Sequence, residues 1–518
     1  MNIVALKGVA TDISFSLIAV LTALACIPIY LQSLSVADYG VWVAISSVVA
    51  IIAFLDVGID QSLTNSAIDD NVYYQEKFLS HLKANITIKF FIVIVMAIIT
   101  SIVAWQIENL VNIGQQSSSL AAIALAIGII NLAIGMYLAS LQSILFARKK
   151  FVINSISINI IAIGNSAIPV ALLHFGYSII AFPIAALIST LVSAVIVISR
   201  FKGKEFKNIP INPWFLFSIN SLKSEHIHLL ATYTTAYQLL KITSQLRTHA
   251  LLLILNSFLG PAVSAKYALS ARLPGIASQF AAKVFQPFYP HIGESFYSDN
   301  KPRSAIIIKA LTLISIRLSV FLLLLLCFIN EIFVKMWVGH ANYLDDASGI
   351  LIVFNAMVIV AFCNLGNFIF VSGSFAALGK MALLEIMIGV GLGIILHKHW
   401  GVAGVIIAFS LGSVAYFSYL VSHVFNTLQI SMLDLFKNSI GYVVIPSAMT
   451  LSVLILWFLT VETNNWWDLF WIAVVSTLAN LLPIEFRVIC RHRKSGWDVV
   501  LANLFPFADK IIHLDKRI

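Results

Sequence analysis

The stretch AAIALAIGIINLAIGMYLA, residues 121–139, is nineteen residues without a charge. A second run, FFIVIVMAIITSIVA over residues 90–104, reads the same way. A bilayer core is crossed by a helix of about 20 apolar residues. Soluble helices alternate an apolar stripe with a polar face, and barrel strands alternate residue by residue. These runs do neither, so each predicts a membrane-spanning helix. The rest of the chain follows suit. Of 518 residues, 60% are hydrophobic and only 11% are charged, against roughly 25% charged in a soluble protein. The mean hydropathy is +0.95. Fourteen spans of about 22 residues would use nearly the whole apolar content. The composition excludes a soluble globular enzyme, a disordered chain and a nucleic-acid-binding module.

Apolar runs between polar breaks place fourteen spans, centred near Leu21, Val49, Val95, Leu132, Ala162, Leu187, Thr248, Pro274, Arg317, Ala361, Ile386, Gly412, Ala448 and Ser476. The expected fold is therefore all-α and polytopic. The first run, Ile13–Leu34, has no small-residue cleavage pattern after a short core, so it is read as a retained span. Cytoplasmic loops collect Lys and Arg. Of the 32 such residues, 22 fall in breaks on one side, while the other side has only Lys335 and Lys398. That asymmetry predicts both termini in the cytoplasm and explains most of the net charge of +9. Four scattered cysteines imply neither a disulfide framework nor a zinc site.

An internal repeat suggests two lobes. His174-Phe175-Gly176 opens the hairpin after the fifth span, and His399-Trp400-Gly401 opens the one after the eleventh. Six spans separate them, so the halves have parallel topology, a known transporter arrangement. The expected parts are a six-helix lobe over 1–199, an amphipathic cytoplasmic linker over 200–235, a second six-helix lobe over 236–427, two additional spans over 428–490 and a basic cytoplasmic tail over 491–518. No Walker-type, GxSxG or HExxH motif occurs. No catalytic residue, metal or cofactor is expected.

Ionisable groups within spans cost roughly 2.5–3.5 kcal/mol each at the bilayer centre, so they mark a cavity, a partner or a helix end. Arg247, Arg272 and Arg317 sit near the middle of three consecutive spans. Either they line a water-filled cavity and bind an anionic head group, or they form structural pairs between helices. Arg272, Gln279, Lys283 and Gln286 share one helical face, as do Gln238, Lys241, Gln245, Thr248 and Asn256. Lys241 and Lys283 join the anion-binding set or snorkel to the surface. Glu385, mid-span, is a candidate for ion coupling or for an ion pair. Asp56 and Asp60, four apart on one face near the inner end of the second span, are further candidates, with Asp12 at the start of the first span.

The segments Ile27-Pro28-Ile29-Tyr30-Leu31, Asp38-Tyr39-Gly40-Val41-Trp42 and Leu55-Asp56-Val57-Gly58-Ile59 resemble the start of bacterial polysaccharide (O-antigen type) flippases. The blocks Asn256-Ser257-Phe258-Leu259-Gly260, Tyr267–Leu273 and Pro287-Phe288-Tyr289-Pro290 are similar to their seventh and eighth spans. The resemblance implies the multidrug/oligosaccharidyl-lipid/polysaccharide exporter superfamily, with two six-helix lobes around a central cavity and, in some members, two extra helices. It also implies transport rather than catalysis. The implied function is movement of an undecaprenyl-pyrophosphate-linked oligosaccharide, an O-antigen or capsule repeat unit, across the bacterial inner membrane. The partners implied are that glycan, the bilayer, and a polysaccharide polymerase with its chain-length regulator. No Asp precedes the Phe-Leu-Gly hairpin, so the resemblance carries no ion coupling to that position. Alternatives are a multidrug or cation antiporter of the same superfamily, and a membrane polymerase or glycosyltransferase, which the short outer loops disfavour.

Overall fold

A computed structural model describes residues 3–56, 60, 63–64, 76–108, 115–148, 150–201, 212–222, 246–285, 296, 301–372, 375–433, 440–463 and 465–489. Lys241, most of the 200–235 linker and the 491–518 tail lie outside the described residues, as do the side chains of Asp12 and of its neighbours near the N-terminus. The described elements are helical. In hydrocarbon every backbone N–H and C=O needs a partner within the protein, and a helix supplies those partners locally.

In chain order the long helices are α1 (Ile3–Ser33), α2 (Val36–Ile52), α3 (Glu76–Trp105), α4 (Gln115–Ala147), α5 (Phe151–His174) and α6 (Ala181–Phe201). They continue with α7 (Leu246–Leu259), α8 (Pro261–Ser270), α9 (Arg272–Phe285), α10 (Lys301–Val338), α11 (Asp346–Ser372), α12 (Phe375–Leu428), α13 (Ile445–Thr460) and α14 (Trp466–Ile489). Among the described residues, ten helices are long and apolar enough to cross a bilayer. Helix α12 is two arms, because Gly401 interrupts it at φ 54°, ψ −128°. Those arms, with α7, the consecutive α8 and α9, and α14, complete the fourteen membrane positions expected. The chain is a multi-pass, all-α membrane protein.

The turns follow from their residues. Ser35 caps α2 by accepting from the Asp38 backbone N–H at 3.1 Å and donating to the Asp38 carboxylate at 2.6 Å, a capping-box exchange. Helix α5 ends in a Schellman-type turn: Tyr177 N–H bonds the Leu172 carbonyl and Gly176 N–H bonds the Leu173 carbonyl. Gly176 adopts φ +85° there, which glycine takes without a Cβ penalty. Both glycines of the sequence repeat thus have positive φ at a hairpin.

Contacts divide the chain into two compact units, Met1–Ala268 with His397–Val405, and Leu269–Leu396 with Ile406–Ile518. In the first, α1 packs along α5, α5 along α6, and α4 against α3 and α6. One apolar cluster joins Val41, Ile45 and Val48 of α2 to Leu125 and Met136 of α4. Another joins Phe78 and Leu82 to Leu141, Val197 and Phe201. Leu216, from the short helix Pro213–Leu216, is fully buried in that second cluster. In the second unit α10 packs along α11, and α13 and α14 pack on α10 and on each other.

Gly40, of the Asp38-Tyr39-Gly40 segment, marks a close approach of two backbones. A Cβ there would lie 1.8 Å from the Pro261 carbonyl oxygen, and the Asn256 amide donates to the Gly40 carbonyl nearby at 3.4 Å. Gly40→Ala is expected to destabilise the protein by at least about 1–3 kcal/mol, the usual cost of overpacking. Gly391→Ala, where nothing lies within 4 Å, should be neutral or better. Unfolding midpoints of the two variants in detergent check this, and an unchanged midpoint for Gly40→Ala would refute the close contact.

Candidate functional site

Helix α2 stops at Ile52, and a 3-10 turn over Ala53–Leu55 leads to Asp56, which leaves the helical region at φ −71°, ψ 87°. Asp56 and Asp60 are therefore not on one continuous helical face, as their spacing suggested. The helix ends between the apolar run and the acids, and the two carboxylates go to different places.

Asp60 meets Lys89 of α3. The Lys89 ammonium lies 2.6 Å and 2.7 Å from the two Asp60 oxygens. It also donates to the Met136 carbonyl at 2.8 Å and to Ser140 Oγ at 2.9 Å. Ser140 Oγ is 2.9 Å from both Asp60 Oδ1 and Asn85 Oδ1. Asn85 and Lys89 are one turn apart on α3, and Met136 and Ser140 are one turn apart on α4, so each helix offers two groups on one face. Lys89 is 4% exposed. Both charges are thus neutralised and hydrogen-bonded, the condition under which a buried pair is tolerated. The sequence reading assigned Lys89 no role. Its only signal was a lysine inside an apolar run with Asn85 four residues before it.

Asp56 instead lines a cavity of about 250 Å³ in the same unit, with Asn131, Gln142 and Thr190. Arg247, in α7, is half-buried and within electrostatic range of the Tyr267 hydroxyl. His397 stacks on Phe258 with ring centroids 4.4 Å apart.

In the second unit the eighth span is broken. Ala271 separates α8 from α9, and Pro274 follows three residues later. Proline has no N–H, so the Ser270 carbonyl loses its usual helical donor. The Asn330 side chain of α10 supplies the replacement at 3.0 Å. Arg272 begins α9 at this break. It is partly buried, and among the described residues its Nε–H has no hydrogen-bond partner. Lys283 lies three turns along the same helix, also partly buried.

Arg317 is placed differently from Arg272. It is 5% exposed, its Nε donates to the Asn480 side chain at 3.1 Å, and its Nη2 donates to the Asn480 carbonyl. The guanidinium also sits 5.0 Å from the Tyr442 ring centroid, within cation–π range. Asn480 in turn donates to Thr450 of α13 at 3.2 Å. Of the two readings open for this arginine, the geometry favours a joint between the tenth helix and the last two. Glu385, 3% exposed, accepts from Ser413 Oγ at 2.7 Å. The two arms of α12 touch there, since a Cβ on Gly412 would lie 2.5 Å from the Glu385 carbonyl oxygen. Among the described residues no three His, Cys, Asp or Glu side chains are grouped to hold a metal ion.

The fold is shared with solved membrane transporters. A lipid II flippase, MurJ, in an inward closed conformation superposes with a TM-score of 0.70 at 17% identity, over 93% of this chain and 99% of its own. An inward-facing multidrug resistance MATE family transporter of the MOP superfamily gives 0.55 at 14% identity, over 80% of this chain and 99% of its own. A Vibrio cholerae MATE transporter, VcmN, gives 0.50 at 14% identity, over 82% and 95%. No protein-family model and no curated protein sequence matches the chain. At these identities the likeness is one of fold, and the fold is that of transporters and flippases rather than of enzymes.

The Lys89–Asp60 pair yields a prediction. Lys89→Met or Asp60→Leu alone leaves a buried charge uncompensated and should cost about 3–5 kcal/mol. The double variant should recover most of that loss. Unfolding midpoints of the four proteins form the cycle, and additive losses would show that the two side chains are not coupled.

Proposed function

We propose that this protein is a flippase that moves an undecaprenyl-pyrophosphate-linked oligosaccharide, such as an O-antigen or capsule repeat unit, across the inner membrane by alternating access. The observation that carries the reading is Arg272 at the break in the eighth span, with a buried N–H lacking a partner among the described residues. A cation and a phosphate charge about 4 Å apart attract by about 4 kcal/mol at an effective dielectric near 20. An anionic cargo would therefore offset the burial of this arginine, and a neutral or cationic cargo would not. Arg247 lies 13 residues before Gly260 and Arg272 lies 12 after it. Each therefore lies well inside an apolar segment in sequence. Lys283 lies on the same helix as Arg272 and would add to its positive charge, and Lys241, outside the described residues, stays a candidate on its sequence position alone. Arg317 is assigned to holding helices together rather than to the cargo.

The sugar head would travel through the protein while the polyprenyl tail stays in lipid, and no covalent bond would change. Both termini are placed in the cytoplasm on the charge asymmetry of the loops. A polymerase and its chain-length regulator would then act on the unit at the outer surface. The likeness to a lipid II flippase supports a lipid-linked glycan as the cargo class and leaves the peptidoglycan precursor as a cargo of the same chemistry. A second reading, a multidrug or cation antiporter, draws on the MATE likeness and on the half-buried Asp56 and the buried Glu385.

Purified protein in liposomes separates these readings. A lipid-linked, pyrophosphate-bearing oligosaccharide should cross unchanged, and Arg272→Gln should slow it by about tenfold or more, the loss of one charge-assisted contact. Arg317→Met should lower the unfolding midpoint, with flipping falling only in step with folded protein. Full flipping by Arg272→Gln, or efflux of an organic cation with no glycan movement, would overturn the proposal.

A further inference from the structure

We infer that Asn330 is a positioning residue for Arg272. With Pro274 it holds the eighth span interrupted, and the interruption sets the direction in which the guanidinium leaves the helix. This role rests on the anionic-cargo reading of Arg272 and adds to it the element that aims the charge. All the residues involved lie in the second unit.

The break is narrow. Pro274 denies the Ser270 carbonyl its helical donor, and the ladder resumes at once, with the Gly275 N–H on the Ala271 carbonyl at 2.9 Å. Ser270 is fully buried, so its carbonyl must find a donor within the protein or stay unpaired. The Asn330 amide, 2% exposed, donates to it at 3.0 Å. Asn330 Oδ1 is itself buried and has no hydrogen-bond partner among the described residues. Stability does not require this combination. A residue with an N–H at 274 and an apolar residue at 330 would satisfy the same backbone without an orphaned amide oxygen. What Pro274 and Asn330 add is a fixed break. A second bond pins the same residue, since the Leu344 N–H, from the turn before α11, donates to Ser270 Oγ at 3.4 Å.

The packing beyond the break fixes the direction. Helix α9 packs on α10 and α11 through Leu273, Ala277 and Ala281, which join the apolar cluster around Phe321 and Val353. Successive helical residues are about 100° apart, so Arg272 leaves α9 about 140° from the centre of that face. One side of the span is thus held to α10 and α11 by polar bonds at Ser270 and by apolar contacts from Leu273 onward. The arginine projects from the other side. A continuous helix would carry α9 on along the line of α8 and Arg272 with it.

The test uses the full chain, with unfolding midpoints in detergent and flipping of a pyrophosphate-linked oligosaccharide lipid in liposomes, expressed per folded protein. Asn330→Leu leaves the Ser270 carbonyl without a donor and should lower the midpoint. Pro274→Ala restores an N–H to the helix, so in that background Asn330→Leu should cost little. The double variant should therefore fold like the wild type and yet flip at least about tenfold more slowly, the loss of one charge-assisted contact. Adding Arg272→Gln to it should cause no further loss, because the arginine is already misdirected. Inorganic pyrophosphate, a soluble probe of the same site, should raise the midpoint of the wild type by mass action and leave that of the double variant unchanged. Wild-type flipping or a wild-type pyrophosphate shift in the double variant would overturn the positioning role. So would equal costs of Asn330→Leu with Pro274 and with Ala at that position. A wild type that moves no such lipid but keeps the expected pyrophosphate pattern overturns the flippase reading alone, and one that responds to neither overturns both.

Discussion

Hydrocarbon offers no water to a carbonyl or a charge that loses its partner, and this constraint organises the described structure. At three places among the described residues where a helix is interrupted or a charge is buried, a side chain from a neighbouring helix makes the missing bond. Pro274 takes the donor from the Ser270 carbonyl, and Asn330 replaces it from α10. Arg317 donates to the Asn480 side chain and carbonyl of α14. Lys89 donates to the Met136 carbonyl while it neutralises Asp60. Apolar packing alone cannot hold helices in register in lipid, where tails are as apolar as leucine. These polar joints fix which helix faces which, and close glycine contacts such as Gly40 to Pro261 set the spacing.

The same constraint sorts the charges by role. Lys89 and Arg317 have their hydrogen-bonding demand met largely by protein groups, and each ties elements of one unit together. Arg317 keeps one buried Nη1 without a hydrogen-bond partner among the described residues but is anchored through Nε and Nη2, whereas Arg272 stands at a helix break with its buried Nε–H lacking a partner among the described residues. A cation in that state is costly unless something anionic visits it. On the acidic side, Asp60 is paired with Lys89 and Asp56 lines a polar cavity. The proposed transport would need a group of Arg272's kind, because a ligand can bind only where the protein has left a demand for it. It would also need groups such as Lys89 and Arg317, so that such a site stays dry and in place.

Much of the fold was legible in the sequence. Uncharged runs such as residues 121–139 can be stable in only one way in a bilayer, so the fourteen positions followed from length and hydropathy. The hairpin glycines Gly176 and Gly401 were also readable, since positive φ has a residue preference. The candidate site was legible only as an inventory of charged residues within spans. Asp56 and Asp60 were read as one face because helical periodicity was extended past Ile52, where the helix ends. Arg317 was read beside Arg272 because both sit in apolar runs, and periodicity names the face a residue occupies but not what that face meets.

Composition and the order of residues therefore determined the class of protein, the number of spans and the set of charges that must find a partner. That much is local physics: the cost of a bare peptide group or a lone charge in hydrocarbon is the same wherever the helix packs. Which partner each charge finds was decided only by tertiary structure. Lys89 reaches Asp60 across 29 residues of chain and Arg317 reaches Asn480 across 163. No spacing rule spans such distances, because they depend on how separate helices pack against one another.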